Sequence, residues 1–512
     1  MTEDEKPSLP SNTMMILFTS QKHLIGSQSL KCLTRFGDKK FISNMTIKYA
    51  VPEIVECKWT PYLAQCETIE NTSILEIAVA DDEGIFVQIP FRKPTKILHD
   101  VVTCFSPLFM NERWQLLILA LEVYRYYGAS MQNFYITSII SEVYKLLKIP
   151  FRKPTKILHD VVTCFSPLFM NERWQLLILA LEVYRYYGAS MQNFYITSII
   201  SEVYKLLKVY EKRGWVTIDV WPKMDFEHDL SYDPNEEMEW RGQVVAQTDC
   251  LLKYKVSAKF VIFGDLDDIL FPRLGKSYLS EFETLLVQNK FAAAFIYNRY
   301  ESYLTSARQP ATYSILSALQ SAKISTRWVD GKWVAVSSRV MTTAIHYPWI
   351  VNNGYSIVTV PKHTNIMAHF RNWKFVEDMR SARSRRNTRS DVDWLEKNET
   401  IMLSTLIDVE DMNAIENNFM ETMEANAQVF NELPNSEVYY KLIEKCYNRI
   451  FYSVDKTPTI CPTHFHCMLP ELPGVHCIRF NGRYEEKVLA RKFRVHYSYN
   501  WYTEESSRGC GT

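Results

Sequence analysis

Asp265-Leu266-Asp267-Asp268 sets three carboxylates within four residues, directly after the apolar run Phe260-Val261-Ile262-Phe263 and Gly264. Carboxylates crowded in this way repel one another, and leaving them unpaired is costly. A hard divalent cation such as Mn²⁺ or Mg²⁺ relieves that cost, because it prefers oxygen ligands. The cation can in turn bridge a diphosphate and neutralise the charge on a departing nucleoside diphosphate. Asp is also common where strands end, so a capped, solvated loop is the plainer reading. A third carboxylate and the buried-strand context favour metal binding.

The elements that must position this cluster are readable around it. A continuous apolar run is typical of a strand covered on both faces, and ligands of open α/β sheets bind beyond the carboxyl ends of such strands. Gln243 to Tyr254 has helical periodicity and leads into the strand. Upstream, Ile157 to Phe165 reads as a strand broken by Ser166-Pro167, and Asn171-Glu172 opens a helix that runs to about Tyr187 and ends at Gly188. Phe194-Tyr195-Ile196 reads as a second strand, Ile199 to Lys212 as a second helix, and Gly214 to Val220 as the next strand. This β-α-β-α order begins a parallel sheet flanked by helices, so the fold class is α/β.

Residues 89–148 recur without a change as 149–208. Solenoid repeats diverge and usually number three or more, so this pair is not a solenoid. A sheet has one place for the unit. Only the second copy runs directly into the Gly214–Val220 strand, so the second is expected in the sheet and the first at its periphery, with the opposite choice left open by the sequence. The expected organisation is an N-terminal, partly β region (1–88), the duplicate (89–148), a catalytic α/β domain (149–380), and a helical or irregular C-terminal tail (381–512) carrying cysteines.

At 512 residues and 47% hydrophobic, the chain can bury two or three packed units. Its 58 basic residues balance 58 acidic ones, so no global field favours nucleic acid. No stretch has the ~18–20 apolar residues of a spanning helix, and Met14 to Phe18 is too brief for a signal-peptide core. Eleven cysteines, four of them beyond residue 460 (Cys461, Cys467, Cys477, Cys510), suit an oxidising compartment. Three sequons, at Asn44, Asn71 and Asn398, are compatible with secretion.

Phe263 to Pro272, preceded by Gln243 and Asp249-Cys250-Leu251-Leu252, resembles glycosyltransferase family 92. Cys164-Phe165-Ser166-Pro167-Leu168-Phe169, Asn171-Glu172 with Trp174, Gly188-Ala189-Ser190, Gly331-Lys332-Trp333-Val334 and His369-Phe370-Arg371 match in the same order. The resemblance implies a GT-A-like fold with a mixed, mostly parallel sheet. It also implies inverting transfer of galactose from UDP-galactose to a glycan acceptor, commonly with Mn²⁺. Asp265, Asp267, Asp268 and Ser166 would then bind the donor, and Asp265, Asp267 and His369 the metal. Family members are single-pass membrane proteins of the secretory lumen, so membrane association and a Golgi location are implied, although no anchor is visible here.

Inversion needs one general base. Between Asp268 and His369 the acids are Glu281, Glu283, Glu301 and Asp330. Glu281 and Glu283 are expected on a surface helix (277–288). Glu301 follows the strand-like run Phe291 to Tyr297, which makes it the first choice and Asp330 the second. The arginines between Arg380 and Arg389 read as a solvated loop rather than a phosphate grip. Cys461, His464, His466, Cys467, His476 and Cys477 lack a zinc spacing, so disulfides or thiols are expected. Trp349 and Trp373 suit either an acceptor groove or the core. The competing functions are a haloacid-dehalogenase-type phosphatase with an aspartyl nucleophile, and a catalytically impaired glycan-binding or scaffold protein.

Overall fold

The computed structural model describes residues 12–511 except 26–28, 53–55, 80–85, 94–98, 106–108, 112–133, 136–158, 222, 225–231, 239–241, 256, 378–398, 451–459, 462 and 491–492. For the first copy's strands only the backbone placement is described.

A large mixed sheet flanked by helices organises the chain. The strand Ala258–Gly264 lies near its centre, buried throughout except for Lys259. On one side it pairs in parallel with His159–Phe165, and on the other antiparallel with Lys323–Val336. Lys323–Val336 continues antiparallel to Ala292–Ser306, which runs parallel to Ile366–Phe375. The short strand Asp268–Phe271 closes antiparallel on Ile366–Phe375. Alongside, Met191–Ile196 pairs in parallel with Val216–Val220. Parallel strands covered on both faces need continuous apolar sequence, and the runs in these strands supply it.

Helix Trp174–Tyr186 is buried along its whole length, as its near-continuous apolar sequence dictates. It ends where Gly188 adopts φ +97°, a left-handed conformation that glycine reaches without a Cβ penalty. Helix Ser201–Lys212 buries Val203, Tyr204, Leu206, Leu207, Val209 and Tyr210. Helix Gln243–Tyr254 is fastened to the strand His159–Phe165 by the disulfide Cys164–Cys250.

Both copies of the repeat are registered on one neighbour. Val102 of the first copy and Val162 of the second each stand against Val261, and Phe134 and Phe194 each stand against Ile218. The sheet thus offers one address to two identical segments. The first copy also begins usefully: Ile89 pairs with Leu75, and Arg92 reaches Asp249.

The N-terminal region is β-rich, with a three-stranded and a four-stranded antiparallel sheet. The C-terminal tail departs from the helical or irregular expectation. After helices Val409–Ala425 and Tyr440–Ile450 it forms a hairpin, Cys477–Ala490 with Phe493–Ser506, whose first strand joins the main sheet at Ser198–Ile200. Aromatic and polar residues alternate along that hairpin, a pattern that a count of cysteines and histidines passes over. Among the cysteines whose side chains are described, five disulfides are formed: Cys32–Cys66, Cys57–Cys461, Cys164–Cys250, Cys446–Cys467 and Cys477–Cys510.

Glu172 explains how the tail is held. Its buried carboxylate accepts the main-chain N–H groups of Val438, Tyr439 (2.9 Å) and Tyr440, at the start of helix Tyr440–Ile450. Trp174 Nε1 donates to Pro434 O at 3.0 Å beside it.

Candidate active site

Strand register assembles the site. Asp268 is the first residue of its strand and stands opposite His369. On the other edge of the same strand, Glu301 of Ala292–Ser306 also stands beside His369. His369 is therefore flanked by an acid on each side before any rotamer is chosen. A tight turn delivers the remaining carboxylates: the Asp268 N–H donates to Asp265 O (3.0 Å), and the Asp265 N–H to Asp268 Oδ2 (3.1 Å). The Phe370 N–H holds Asp267 O at 2.7 Å.

Asp267, Asp268 and His369 bring one ligand atom each within 4.8 Å of one another. His369 Nε2 lies 3.5 Å from Asp267 Oδ2, and its Nδ1 lies 3.3 Å from Glu301 Oε1. Burial opposes a charged imidazole, but the Asp267 and Glu301 carboxylates outweigh it and hold the His369 pKa up at about 9. Asp267 is depressed in turn: burial would raise it, and the His369 pair prevails. Asp268, with no exposed surface, is raised by burial against the pull of Arg299 and Lys332.

Asp265 faces Ser166 Oγ (2.5 Å), Gln243 Nε2 (3.2 Å) and Lys332 Nζ (2.8 Å), while the group whose atoms could hold a cation is Asp267, Asp268 and His369. Ser166 meets the acidic cluster through Asp265. Gln247 Nε2 lies 3.5 Å from Ser166 Oγ, so this side of the site is polar and built around one carboxylate. Glu301 is half-buried inside a long strand at a bulge, not at its end. Asp330 is exposed, and only its main-chain oxygen meets the cluster's neighbours, accepting from Arg299 Nε at 2.6 Å. Glu281 is a correction: it is fully buried, accepting the N–H of Arg273, that of Leu274 (3.0 Å) and the hydroxyl of Tyr297 (2.7 Å). The helix Tyr278–Gln288 turns that face inward, so its acids are not all on the surface.

Two cations escaped the residue-by-residue reading. Lys332, whose side chain has no exposure, spans Asp265 and Asp268 (2.8 and 3.8 Å), and Arg299 Nη1 is 3.3 Å from Asp268 Oδ1. A signal for Lys332 was present in Gly331. A Cβ there would stand 2.5 Å from Tyr297 O, so the strand can approach closely enough only with glycine. Trp349 is exposed and suits a groove rather than the core, whereas the Trp373 side chain and Arg380–Arg389 lie outside the described residues. Of the tail's Cys/His group, the cysteines are all in disulfides.

Two carboxylates and one imidazole nitrogen make a mixed oxygen and nitrogen donor set, which suits Mn²⁺ and is less typical of Mg²⁺. Among the described residues this is the one such cluster.

Comparison with known proteins agrees with this geometry. The model of glycosyltransferase family 92 matches residues 99–149 and 159–445, taking in most of each copy of the repeat and the whole site. A family 92 protein of Caenorhabditis elegans is 31% identical over 99% of this chain and 87% of its own length. A second from the same organism is 31% identical over 71% of this chain and 72% of its own. The strand-borne acidic cluster and its histidine thus sit within a matched region that spans most of the chain, and the chain belongs to glycosyltransferase family 92.

Proposed function

We propose that this glycosyltransferase moves a hexose, galactose from UDP-galactose, onto a glycan hydroxyl with inversion, using a divalent cation held by Asp267, Asp268 and His369. The observation that carries the reading is the convergence of those three side chains at a strand end, with Asp265, Ser166 and Gln243 beside them. When bound, the cation supplies neutralisation of a diphosphate leaving group. The chain's own residues do the rest. Asp265, oriented by Ser166, Gln243 and Lys332, is suited to accept hydroxyl protons of a ribose. Arg299 and Lys332 add positive charge near the diphosphate position.

Glu301 is the proposed base. Its Oε1 is engaged by His369, and among the described residues no hydrogen bond is recorded to its second oxygen, which leaves it for an acceptor hydroxyl. Burial would raise its pKa, but the His369 contact lowers it, so it is ionised at neutral pH as a proton acceptor must be. The same contact orients the His369 ring, a role that outer carboxylates commonly play at metal sites. Family membership displaces the phosphatase reading.

Labelled UDP-galactose, a fucosylated glycan acceptor and Mn²⁺ test the proposal. Transfer lost with chelator and with Asp267→Asn is expected, whereas transfer indifferent to chelator would remove the metal from the reading. Glu301→Gln should lower the rate roughly 10²–10⁴-fold with metal affinity kept. A loss of metal affinity with little loss of rate at saturating metal would make Glu301 a positioning residue instead.

A further inference from the structure

Two of the three sequons mark the two ends of one exposed hairpin. Strands Leu30–Phe36 and Lys39–Asn44 pair through a two-residue turn at Gly37-Asp38, and Lys39–Asn44 is the edge of the four-stranded N-terminal sheet. Asn44, of Asn44-Met45-Thr46, is the last residue of that edge strand, opposite Lys31, and is exposed. Asn71, of Asn71-Thr72-Ser73, is exposed on a turn with φ +59°. That turn is fastened to the neighbouring strand: the Ser73 N–H donates to Arg35 O (2.9 Å), and the Ile69 N–H to Thr34 Oγ1 (3.3 Å). Lys31 and Arg35 are four residues apart, so the two asparagines stand about 14 Å from each other along the strand.

Between them the hairpin carries apolar side chains that the fold does not cover. Phe36 and Phe41, on one face, are 49% and 37% exposed, and Ile42, on the face of Asn44, is 54% exposed. An edge strand with unpaired backbone groups and exposed apolar side chains is a template for self-association. Natural edges are blunted by charge, proline, bulges or a cover. Lys39 and Lys40 supply charge at the turn end only. The five disulfides supply the second condition, since such bonds persist where the compartment is oxidising, and that is where asparagine glycosylation occurs.

We propose that Asn44 and Asn71 carry N-linked oligosaccharides that together shield this edge hairpin. In the step implied, the Asn Nδ2 attacks the anomeric carbon of a lipid-diphosphate-linked oligosaccharide. A C–N bond forms, the C–O bond to the diphosphate breaks, and the amide proton leaves with the lipid diphosphate. The glycans are independent of which sugar the enzyme itself transfers. Asn398, of the third sequon, lies outside the described residues.

The test uses the full chain expressed in animal cells behind a cleavable secretory signal peptide. Peptide N-glycosidase in ¹⁸O-water converts an occupied asparagine to labelled aspartate, and label at both Asn44 and Asn71 is expected. Thr46→Ala and Ser73→Ala should each remove one electrophoretic step, while Thr46→Ser and Ser73→Thr should keep it, separating loss of glycan from loss of fold. The Asn44→Gln/Asn71→Gln protein should scatter more light at equal concentration, with its near-ultraviolet circular dichroism unchanged. An unlabelled peptide at either asparagine overturns the assignment. A double variant as monodisperse as the glycosylated chain overturns the shielding role.

Discussion

Lys332→Met isolates the electrostatics of the site. Methionine keeps most of the volume and removes a charge that sits 2.8 Å from Asp265 and 3.8 Å from Asp268 with no exposed side-chain surface. At 2.8 Å and an effective dielectric of ~20 the attraction to Asp265 is about 6 kcal/mol, most of it offset by the cost of dehydrating the ammonium. Removing one member of a buried pair typically costs about 3–5 kcal/mol. The lower end applies here, because the Asp265 side chain is 31% exposed and Asp268 keeps Arg299. For a unit of 150–250 residues, about 3 kcal/mol lowers the melting temperature by roughly 6–12 °C. Mn²⁺ on Asp267, Asp268 and His369 would neutralise part of the charge that Lys332 leaves behind. Its stabilising increment should therefore be larger in the variant than in the natural protein. Thermal melts followed by near-ultraviolet circular dichroism, with chelator and with Mn²⁺, measure both quantities. A variant that melts within about 2 °C of the natural protein in chelator, or that gains no more from Mn²⁺, refutes the reasoning.

Three further outcomes are expected. His369, held at about 9 in the fold against an ordinary 6.5, contributes stability that is complete below pH 6.5 and is lost as pH rises through 9, about 3 kcal/mol in all. A cation must displace the same proton, so Mn²⁺ affinity measured by titration calorimetry should rise about tenfold per unit between pH 7 and 9, and His369→Gln should flatten that slope. Glu172→Ala strips the acceptor from three main-chain N–H groups at 438–440. It should cost about 1–3 kcal/mol and open the segment before helix Tyr440–Ile450 to limited proteolysis. Deleting 89–148 leaves a 452-residue chain, 512 less the 60 of one copy, which should melt no lower than the full chain and keep its transferase activity.

Local patterns carried the donor half of the site. Helix Gln243–Tyr254 and the strand after it were readable because apolar periodicity, Gly264 and the following acids all point one way, and the structure places them there. Pairings made across long stretches of sequence were not legible. That Asp268 stands opposite His369, and Glu301 beside it, depends on registers joining residues 68 to 101 positions apart, which no window of sequence contains. Lys332 was hidden for the same reason, since a lysine in a strand reads as a solvated charge until a carboxylate is known to face it. Glu281 was placed outside because its helix is amphipathic, and a buried acid is identifiable only from its three donors.

The repeat poses a problem that sequence identity makes insoluble by pattern alone, because both copies offer the same side chains to the same neighbours. Connectivity breaks the tie. Helix Ser201–Lys212 crosses the end of the second copy, and its last turn buries Val209 and Tyr210, which the repeat does not contain. Seating the first copy instead would end that helix at Lys148, where Ile149-Pro150 follows and proline cannot continue it. Val209 and Tyr210 would then have to return across a gap, at a loss of about 1.5–3 kcal/mol for each side chain left outside. Seating the second copy puts the extra residues after Lys93, once Ile89 and Arg92 have already made their contacts. The arrangement that keeps the helix whole therefore combines the head of the first copy with the body of the second. It brings Ser166 to Asp265.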